Sequence, residues 1–319
     1  MHLHRGLLFW GLALVIGGAT ALAVQQGYLD KDLVASAWRL WPLILVAIGL
    51  SIILSRTRLA PLGTIAAAVV VGFAGGALVS VGPVVAGCTG NESGATHDQV
   101  GRFGSTATVN LSFNCGTLEV RSVPEDHWTV SSGPANKGGA SITANTGSLV
   151  AASDDNRSWW ETGRQRWVVR LPQATRTTLE IQPNAADSTI DLRGGQFDRI
   201  SLQPNAGSVL LDLRGARVDL LDLSLNAGSI SIQLDSEVTA SGTLSVNAGS
   251  IEVCSGSGTA LRLVMAESVA FSHNLDSSDL VRSGDTWSTR GYAAATNQVE
   301  LRVTGNAASF TLNPEGGCS

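Results

Sequence analysis

The chain has 319 residues, with 21 lysines and arginines against 26 aspartates and glutamates, and a formal net charge of −5 at pH 7. Charged residues make up only 15% of it, so the chain lacks the basic surface that a nucleic-acid partner would require. Its four cysteines form no Cys-x-x-Cys pair and no cysteine–histidine cluster, which argues against a zinc site.

Residues 1–87 contain three long apolar runs, which predict three transmembrane helices. The runs cover residues 6–24, 38–54 and 62–87, and each is about as long as a bilayer-spanning helix. The second run carries no charge after Arg39, and the third carries none at all. In the alternative reading, the first two runs form one hairpin with shifted boundaries. A cleaved secretory signal is the other interpretation of the first run.

Basic residues beside these runs predict the orientation of the chain. Arg5 precedes the first span, and Arg56 and Arg58 lie between the second and third, whereas residues 30–32 between the first and second are mixed in charge. Because basic loops stay in the cytoplasm, the N-terminus is expected inside and everything after Gly87 outside. Oxidising conditions there would allow disulfide bonds, whose connectivity the sequence leaves open.

Residues 88–104 are polar and are predicted to form a linker. The stretch Val85-Ala-Gly-Cys88 at its start resembles a bacterial lipobox. Cys88 is therefore a candidate lipidation site, and an ordinary end of the third helix is the alternative.

A four-residue phrase then returns every 21 residues, which predicts a repeat architecture. Asn184-Ala-Ala-Asp is followed by Asn205-Ala-Gly-Ser, Asn226-Ala-Gly-Ser and Asn247-Ala-Gly-Ser. On both sides of each phrase apolar and polar residues alternate, as in half-buried strands. We therefore expect residues 105–319 to form an all-β domain, a single-chain β-solenoid with 21-residue rungs.

The period places equivalent residues in columns along the solenoid. One predicted column of buried side chains is Ile190, Leu211, Ile232 and Val253, and another is Ile181, Leu202, Leu223 and Leu244. The asparagine phrase is predicted to be the corner, where glycine supplies a positive φ or a close approach. Stacked corners would join Asn184, Asn205, Asn226 and Asn247 into a ladder of amide hydrogen bonds. The less favoured interpretation of these asparagines is ligand or ion binding.

Weaker copies of the phrase extend the predicted solenoid in both directions. They begin at Asn114, Asn145, Met265 and Asn306. They suggest about eight rungs and a rod roughly 40 Å long, with irregular end rungs that protect the terminal edges.

The segment 154–170 interrupts the repeat with tryptophan and arginine. Such residues are common in recognition surfaces, so Arg157, Trp159, Trp160 and Arg164 form a candidate binding patch. In the alternative interpretation Trp167 begins the next strand and the tryptophans cover the end of the rod.

No arrangement of residues predicts catalysis, a cofactor or a metal ion. His97, His127 and His273 lie far apart in sequence, and there is no phosphate-binding loop. Asp191 and Asp212 share a column, but at a rung spacing of about 4.8 Å two such carboxylates are expected to repel each other. The chain is therefore not expected to be an enzyme.

Two stretches near the N-terminus carry a resemblance to a known family. Gly6-Leu-Leu-Phe-Trp-Gly11 and Trp38-Arg-Leu-Trp-Pro-Leu43 resemble the paired helices of LiaI/LiaF-like bacterial membrane proteins. The repeat domain, with Gly284-Asp-Thr-Trp-Ser and Asn306-Ala-Ala-Ser near its end, is similar to adhesin-type and LiaF-type β-solenoid domains of bacterial envelope proteins. The third span and the long 21-residue block depart from the family pattern.

The resemblance implies a non-enzymatic protein of the bacterial cytoplasmic membrane that senses or scaffolds in an envelope stress response. Its expected partners are the lipid bilayer and a membrane sensor kinase or another envelope protein. The alternative is an adhesin-like surface rod that self-associates.

Overall fold

The structure, a computed structural model, describes residues 94–133, 139–153, 164–266, 270–314 and 318. Of the residues before 94 it describes Gly11, Val15, Ile16, Ala19 and Val69, each with α-helical backbone. Among these described residues there is no helix with the length and apolar character needed to cross a membrane. The predicted spans at 6–24, 38–54 and 62–87 otherwise lie outside the described residues. The chain divides into two compact units, Met1–Val84 and Val85–Ser319.

The second unit is all-β as far as it is described, and its sixteen strands form one sheet. In chain order the strands are β1 (His97–Gly101), β2 (Thr106–Val123), β3 (Trp128–Gly133), β4 (Ala140–Ala144), β5 (Ser148–Ser153), β6 (Gln165–Pro172), β7 (Arg176–Asp191), β8 (Gln196–Leu202), β9 (Ala206–Asp212), β10 (Arg217–Leu234), β11 (Thr239–Ser255), β12 (Leu261–Ala266), β13 (Ala270–His273), β14 (Val281–Ser283), β15 (Thr286–Ser288) and β16 (Val299–Leu312). Two short 3₁₀ helices, Leu275–Ser277 and Tyr292–Ala294, lie within the segment between β13 and β16.

The central strands stack in parallel with equivalent residues paired. Ala206 pairs with Ala227, and Ala227 pairs with Ala248, at a step of 21 residues each time. The same register joins Ile190 to Leu211 and Leu211 to Ile232. Ile190, Leu211 and Ile232 are buried and belong to one continuous aliphatic core along the stack.

Stacking order departs from chain order at both ends of the sheet. Strand β16 lies between β11 and the pair β12 and β13, while β2 lies between β7 and the pair β5 and β6. The rung that contains Met265 is therefore outside the rung that contains Asn306. Asn145 is not at a corner but in the β4–β5 hairpin, where its Oδ1 accepts a hydrogen bond from the Gly147 amide at 2.8 Å. Antiparallel strands, β3 with β1 and β15 with β14, then finish the sheet and cover its terminal parallel rungs.

Aromatic side chains fill the core near both ends. Trp167 is fully buried against Phe113, with ring centroids 5.1 Å apart, and its Nε1 donates to Gln165 Oε1 at 3.0 Å. Trp287 is buried near the other end, where its ring lies 5.1 Å from His273 and 4.6 Å from the Arg282 guanidinium. These large side chains complete the aliphatic core where the parallel stack ends.

Candidate functional site

One edge of the β domain carries a continuous ladder of asparagine amides. Each Nδ2 donates to the Oδ1 of the preceding rung, from Asn184 to Asn114 (2.8 Å), Asn205 to Asn184, Asn226 to Asn205 (2.7 Å), Asn247 to Asn226 (2.9 Å) and Asn306 to Asn247 (2.9 Å). All six asparagines are members of corner phrases. The ladder links rungs that are 21, 59 or 70 residues apart in sequence. It therefore connects β2 and β16, which stack out of chain order, to the central strands.

Glycine allows the backbone to approach closely at this corner. Gly207, Gly228 and Gly249 have φ values of 121°, 125° and 138°, in a region that L side chains rarely adopt. A Cβ on Gly228 would lie 2.0 Å from the carbonyl oxygen of Gly207. Ala186 and Ala308 occupy the same position in other rungs without a positive φ. The corner therefore has two backbone forms, of which only one requires glycine.

Beside the asparagine ladder the corner surface is polar and nearly free of charge. The position two residues before each asparagine is Ser112, Gln182, Gln203, Ser224, Ser245 and Thr304, and the position three residues after it is Thr117, Asp187, Ser208, Ser229, Ser250 and Ser309. Only Asp187 carries a charge, and it accepts a hydrogen bond from Ser208 Oγ at 2.7 Å. We call this surface the corner strip. It presents amides and hydroxyls at the regular spacing of stacked strands, about 4.8 Å.

The two carboxylates predicted to repel each other are instead separated by arginine. Asp191 is hydrogen-bonded to Arg193, whose Nε also lies 3.6 Å from Asp212 Oδ2. Asp212 is bound by Arg214, Nη2 to Oδ2 at 2.6 Å. The hydrogen bond from Arg193 lowers the pKa of Asp191, against the opposing effect of partial burial. The arginine two residues after each aspartate therefore offsets the repulsion that the carboxylate column predicts.

Further ion pairs cover the strands before the corner. Arg176 contacts both Asp198 and Asp219, and Arg199 Nη1 lies 2.7 Å from Asp222 Oδ2. These acids and bases neutralise one another across neighbouring rungs. Among the described residues no group of three or more histidine, cysteine or acidic side chains is placed to hold a metal ion.

The candidate patch at the repeat interruption is only partly visible. Arg157, Trp159 and Trp160 lie outside the described residues, while Arg164 is half-buried immediately before β6. Trp167 is inside the core with Val169 and Leu171, as the alternative interpretation of this segment proposed. Binding by the patch thus stays a prediction.

Disulfide bonds secure the β domain. Cys254, at the end of β11, is bonded to Cys318, with their Cα atoms 5.5 Å apart. Cys115, in β2, is also disulfide-bonded. Cys88, the candidate lipidation site, lies outside the described residues. The sequence alone had left the connectivity open because Cys318 follows the last strand and had several partners within reach.

Comparisons with known proteins fit this architecture. Residues 8–53 match the LiaI-LiaF-like transmembrane region, and residues 98–234 match the N-terminal domain of toast_rack. No curated protein matches the chain.

Two solved structures are weakly similar to the chain. One from Clostridium sporogenes ATCC 15579, described as a cell adhesion protein, is 13% identical with a TM-score of 0.44, and the match covers 68% of this chain and 98% of that one. One from Bacteroides fragilis NCTC 9343, described as an adhesin, is 8% identical with a TM-score of 0.26, covering 69% and 98% respectively.

The chain is a repeat-rich β protein joined to a membrane region. More specifically, it combines a LiaI-LiaF-like transmembrane region with a toast_rack-type β domain, as the resemblance predicted. It is therefore a membrane-associated bacterial envelope protein, and neither matched family is known as an enzyme family.

Proposed function

We propose that this protein is a non-enzymatic sensor or scaffold of the cell envelope. Three helices at 6–24, 38–54 and 62–87 anchor it in the cytoplasmic membrane, with the N-terminus inside. A β-solenoid of 21-residue rungs stands outside, and the helices pass its state to a membrane sensor kinase or another envelope protein.

The Cys254–Cys318 disulfide carries the proposal for the orientation. Disulfides persist in oxidising compartments and are rare in the cytosol, so a disulfide-bonded β domain fits the outer side of the membrane. The basic residues Arg5, Arg56 and Arg58 support the same orientation through the positive-inside rule. The match of residues 8–53 supports the anchor itself.

The proposal is tested by transcription and by co-purification. A strain lacking the protein is exposed to a cell-wall antibiotic, and its transcriptional response is compared with that of the parent strain. A complemented strain in which residues 1–87 are replaced by an unrelated membrane anchor serves as the matched control, since it keeps the rod and loses the native helices. We expect an altered response in the deletion strain and in this control, and a kinase that co-purifies only with the native chain. An unchanged response together with no bound kinase would reject the proposal.

The corner strip favours a second candidate function, an adhesin-like or self-associating rod. Asn205, Asn226 and Asn247 expose amides in a straight row with no charged side chain among them, which suits repeated hydrogen bonding to another surface. Solubilised full-length protein would then form oligomers or bind cells. Replacing the exposed Ser224 and the half-buried Ser229 and Ser245 by lysine should abolish that association, and a monomer that binds no cell surface would rule this function out.

A further inference from the structure

A polar cleft lies at the end of the β domain that carries the Cys254–Cys318 disulfide. It has a volume of about 1050 Å³ and lies between the turn after β11, the segment around the Leu275–Ser277 helix, Thr289–Arg290 and the end of β16. This volume is typical of a pocket for a small ligand or a short stretch of polymer. The cleft is separate from the asparagine ladder and from the ion pairs described above.

The walls of the cleft are fixed by side-chain amides. Asn274 Nδ2 donates to the Leu312 carbonyl at 2.8 Å, and the Leu312 amide donates back to Asn274 Oδ1 at 2.8 Å. Asn313, with a left-handed φ of 49°, accepts from the Ser255 amide at 2.8 Å. Because these bonds form without any ligand, binding would require little ordering of the protein.

Hydroxyl groups in the lining already donate their protons within the protein. Thr259 Oγ1 donates to the Gly256 carbonyl at 2.8 Å, Ser277 Oγ to the Asn274 carbonyl at 2.7 Å and Ser278 Oγ to the Leu275 carbonyl at 2.6 Å. Each oxygen keeps capacity to accept a hydrogen bond. The lining can thus accept hydrogen bonds from the hydroxyl groups of a ligand.

Two charged side chains in the lining, Asp279 and Arg290, have no partner among the described residues. Asp279 and Arg290 are exposed, and neither makes a hydrogen bond or an ion pair with another residue in the described parts of the chain. A carboxylate accepts hydrogen bonds from two hydroxyls, and a guanidinium binds a carboxylate or phosphate with paired hydrogen bonds. Together they complement a ligand that carries both hydroxyls and an acid.

We propose that this cleft binds an acidic sugar, with sugar hydroxyls on Asp279 and the lining oxygens and the acidic group on Arg290. Among the described lining residues there is no aromatic face, so recognition depends on hydrogen bonds rather than on ring stacking. This proposal adds a ligand class and a binding site to the proposed function. It rests on the proposed function only in assuming that the β domain meets its ligand outside the cytoplasm.

Binding is measured with the full-length protein in lipid nanodiscs by calorimetry, using glucuronic acid, glucose 6-phosphate and glucose. We expect at least one of the two acidic sugars to bind at least tenfold more tightly than glucose. The acidic sugar that binds more tightly shows whether the acidic group of the natural ligand is a carboxylate or a phosphate. Arg290→Gln should remove that preference by a factor of about ten or more, since hydrogen bonds to charged groups are strong. Asp279→Asn should weaken binding of the acidic sugar and of glucose alike.

Arg217→Gln is the matched control, because Arg217 is also exposed without an ion pair but lies outside the cleft. It should leave all affinities unchanged, and thermal unfolding checks that each variant is folded. Equal affinity for glucose and both acids, no binding of any probe, or an Arg290→Gln variant that binds like the parent would overturn the inference. The result is independent of transcription in the deletion strain, so failure here and failure of the proposed function are distinguishable.

Discussion

Arg193 holds the carboxylate of Asp191 with two hydrogen bonds, from Nε to Oδ1 at 2.8 Å and from Nη2 to Oδ2 at 2.6 Å. These bonds favour the charged carboxylate and lower the pKa of Asp191 in the folded protein. Since the pKa is lower in the folded state than in the unfolded state, the pair stabilises the fold at neutral pH. That contribution is lost as the pH falls from about 4, the unfolded value, through the folded value.

We therefore predict that Asp191→Asn reduces the free energy of unfolding at pH 7 and has a smaller effect near pH 2. Chemical denaturation across this pH range measures the difference. Asp279→Asn is the control, because Asp279 makes no ion pair among the described residues and its replacement should leave the pH profile unchanged. A constant effect of Asp191→Asn at every pH would contradict the assignment.

The asparagine ladder is expected to contribute measurably to stability. Asn226 both donates to Asn205 at 2.7 Å and accepts from Asn247 at 2.9 Å, so Asn226→Ala removes two hydrogen bonds. At the usual net value of each bond we expect a loss of about 1–3 kcal/mol in the free energy of unfolding. Ser224→Ala, on the same exposed edge, should cost much less. If the two substitutions cost the same, the ladder has no special role.

Glycine at the corner is predicted to be essential in some rungs and replaceable in others. Gly228→Ala would place a Cβ 2.0 Å from the Gly207 carbonyl oxygen at a φ of 125°, so we expect a loss of several kcal/mol or failure to fold. The converse change at the equivalent position, Ala186→Gly, should cost only about 1 kcal/mol. Thermal unfolding compares the two variants. A mild effect of Gly228→Ala would show that the corner backbone can rearrange.

Three described side chains have a buried polar atom without a hydrogen-bond partner, Trp128, Thr129 and Ser188. Ser188 is 3% exposed and lies between Leu118 and Val209 in the stack, and its Oγ is unsatisfied. Ser188→Ala should raise the free energy of unfolding by about 1 kcal/mol, because it removes an uncompensated polar group. Ser208→Ala is the control, since it removes an exposed hydroxyl that bonds Asp187 and should not stabilise the protein.

The centre of the β domain could be derived from sequence because the spacing is constant. The pairs Ile190–Leu211 and Leu211–Ile232 follow from a period of 21 residues and the alternation of apolar side chains. The arginine partners could also have been found, since Asp-Leu-Arg occurs at residues 191–193 and again at 212–214.

The ends of the domain could not be derived in this way. The step from Asn247 to Asn306 is 59 residues instead of 21. No local pattern shows that β16 pairs with β11, although β12 follows β11 in the sequence. Asp279 and Arg290 share a cleft only because the segment between β13 and β16 folds back over the end of the stack. Pairing between strands this far apart in sequence depends on tertiary packing. It leaves no regular repeat in the sequence from which it could be predicted.

The side of the membrane on which the β domain lies can be measured directly. Two fusions are made after Ser319, one to a phosphatase that is active only outside the cytoplasm and one to a fluorescent protein that folds only inside. If the β domain lies outside the cytoplasm, the phosphatase is active and the fluorescent protein is dark, as three spans and an oxidised Cys254–Cys318 bond require. Fluorescence without phosphatase activity would contradict this orientation, because the β domain would then be cytoplasmic and its cysteines reduced.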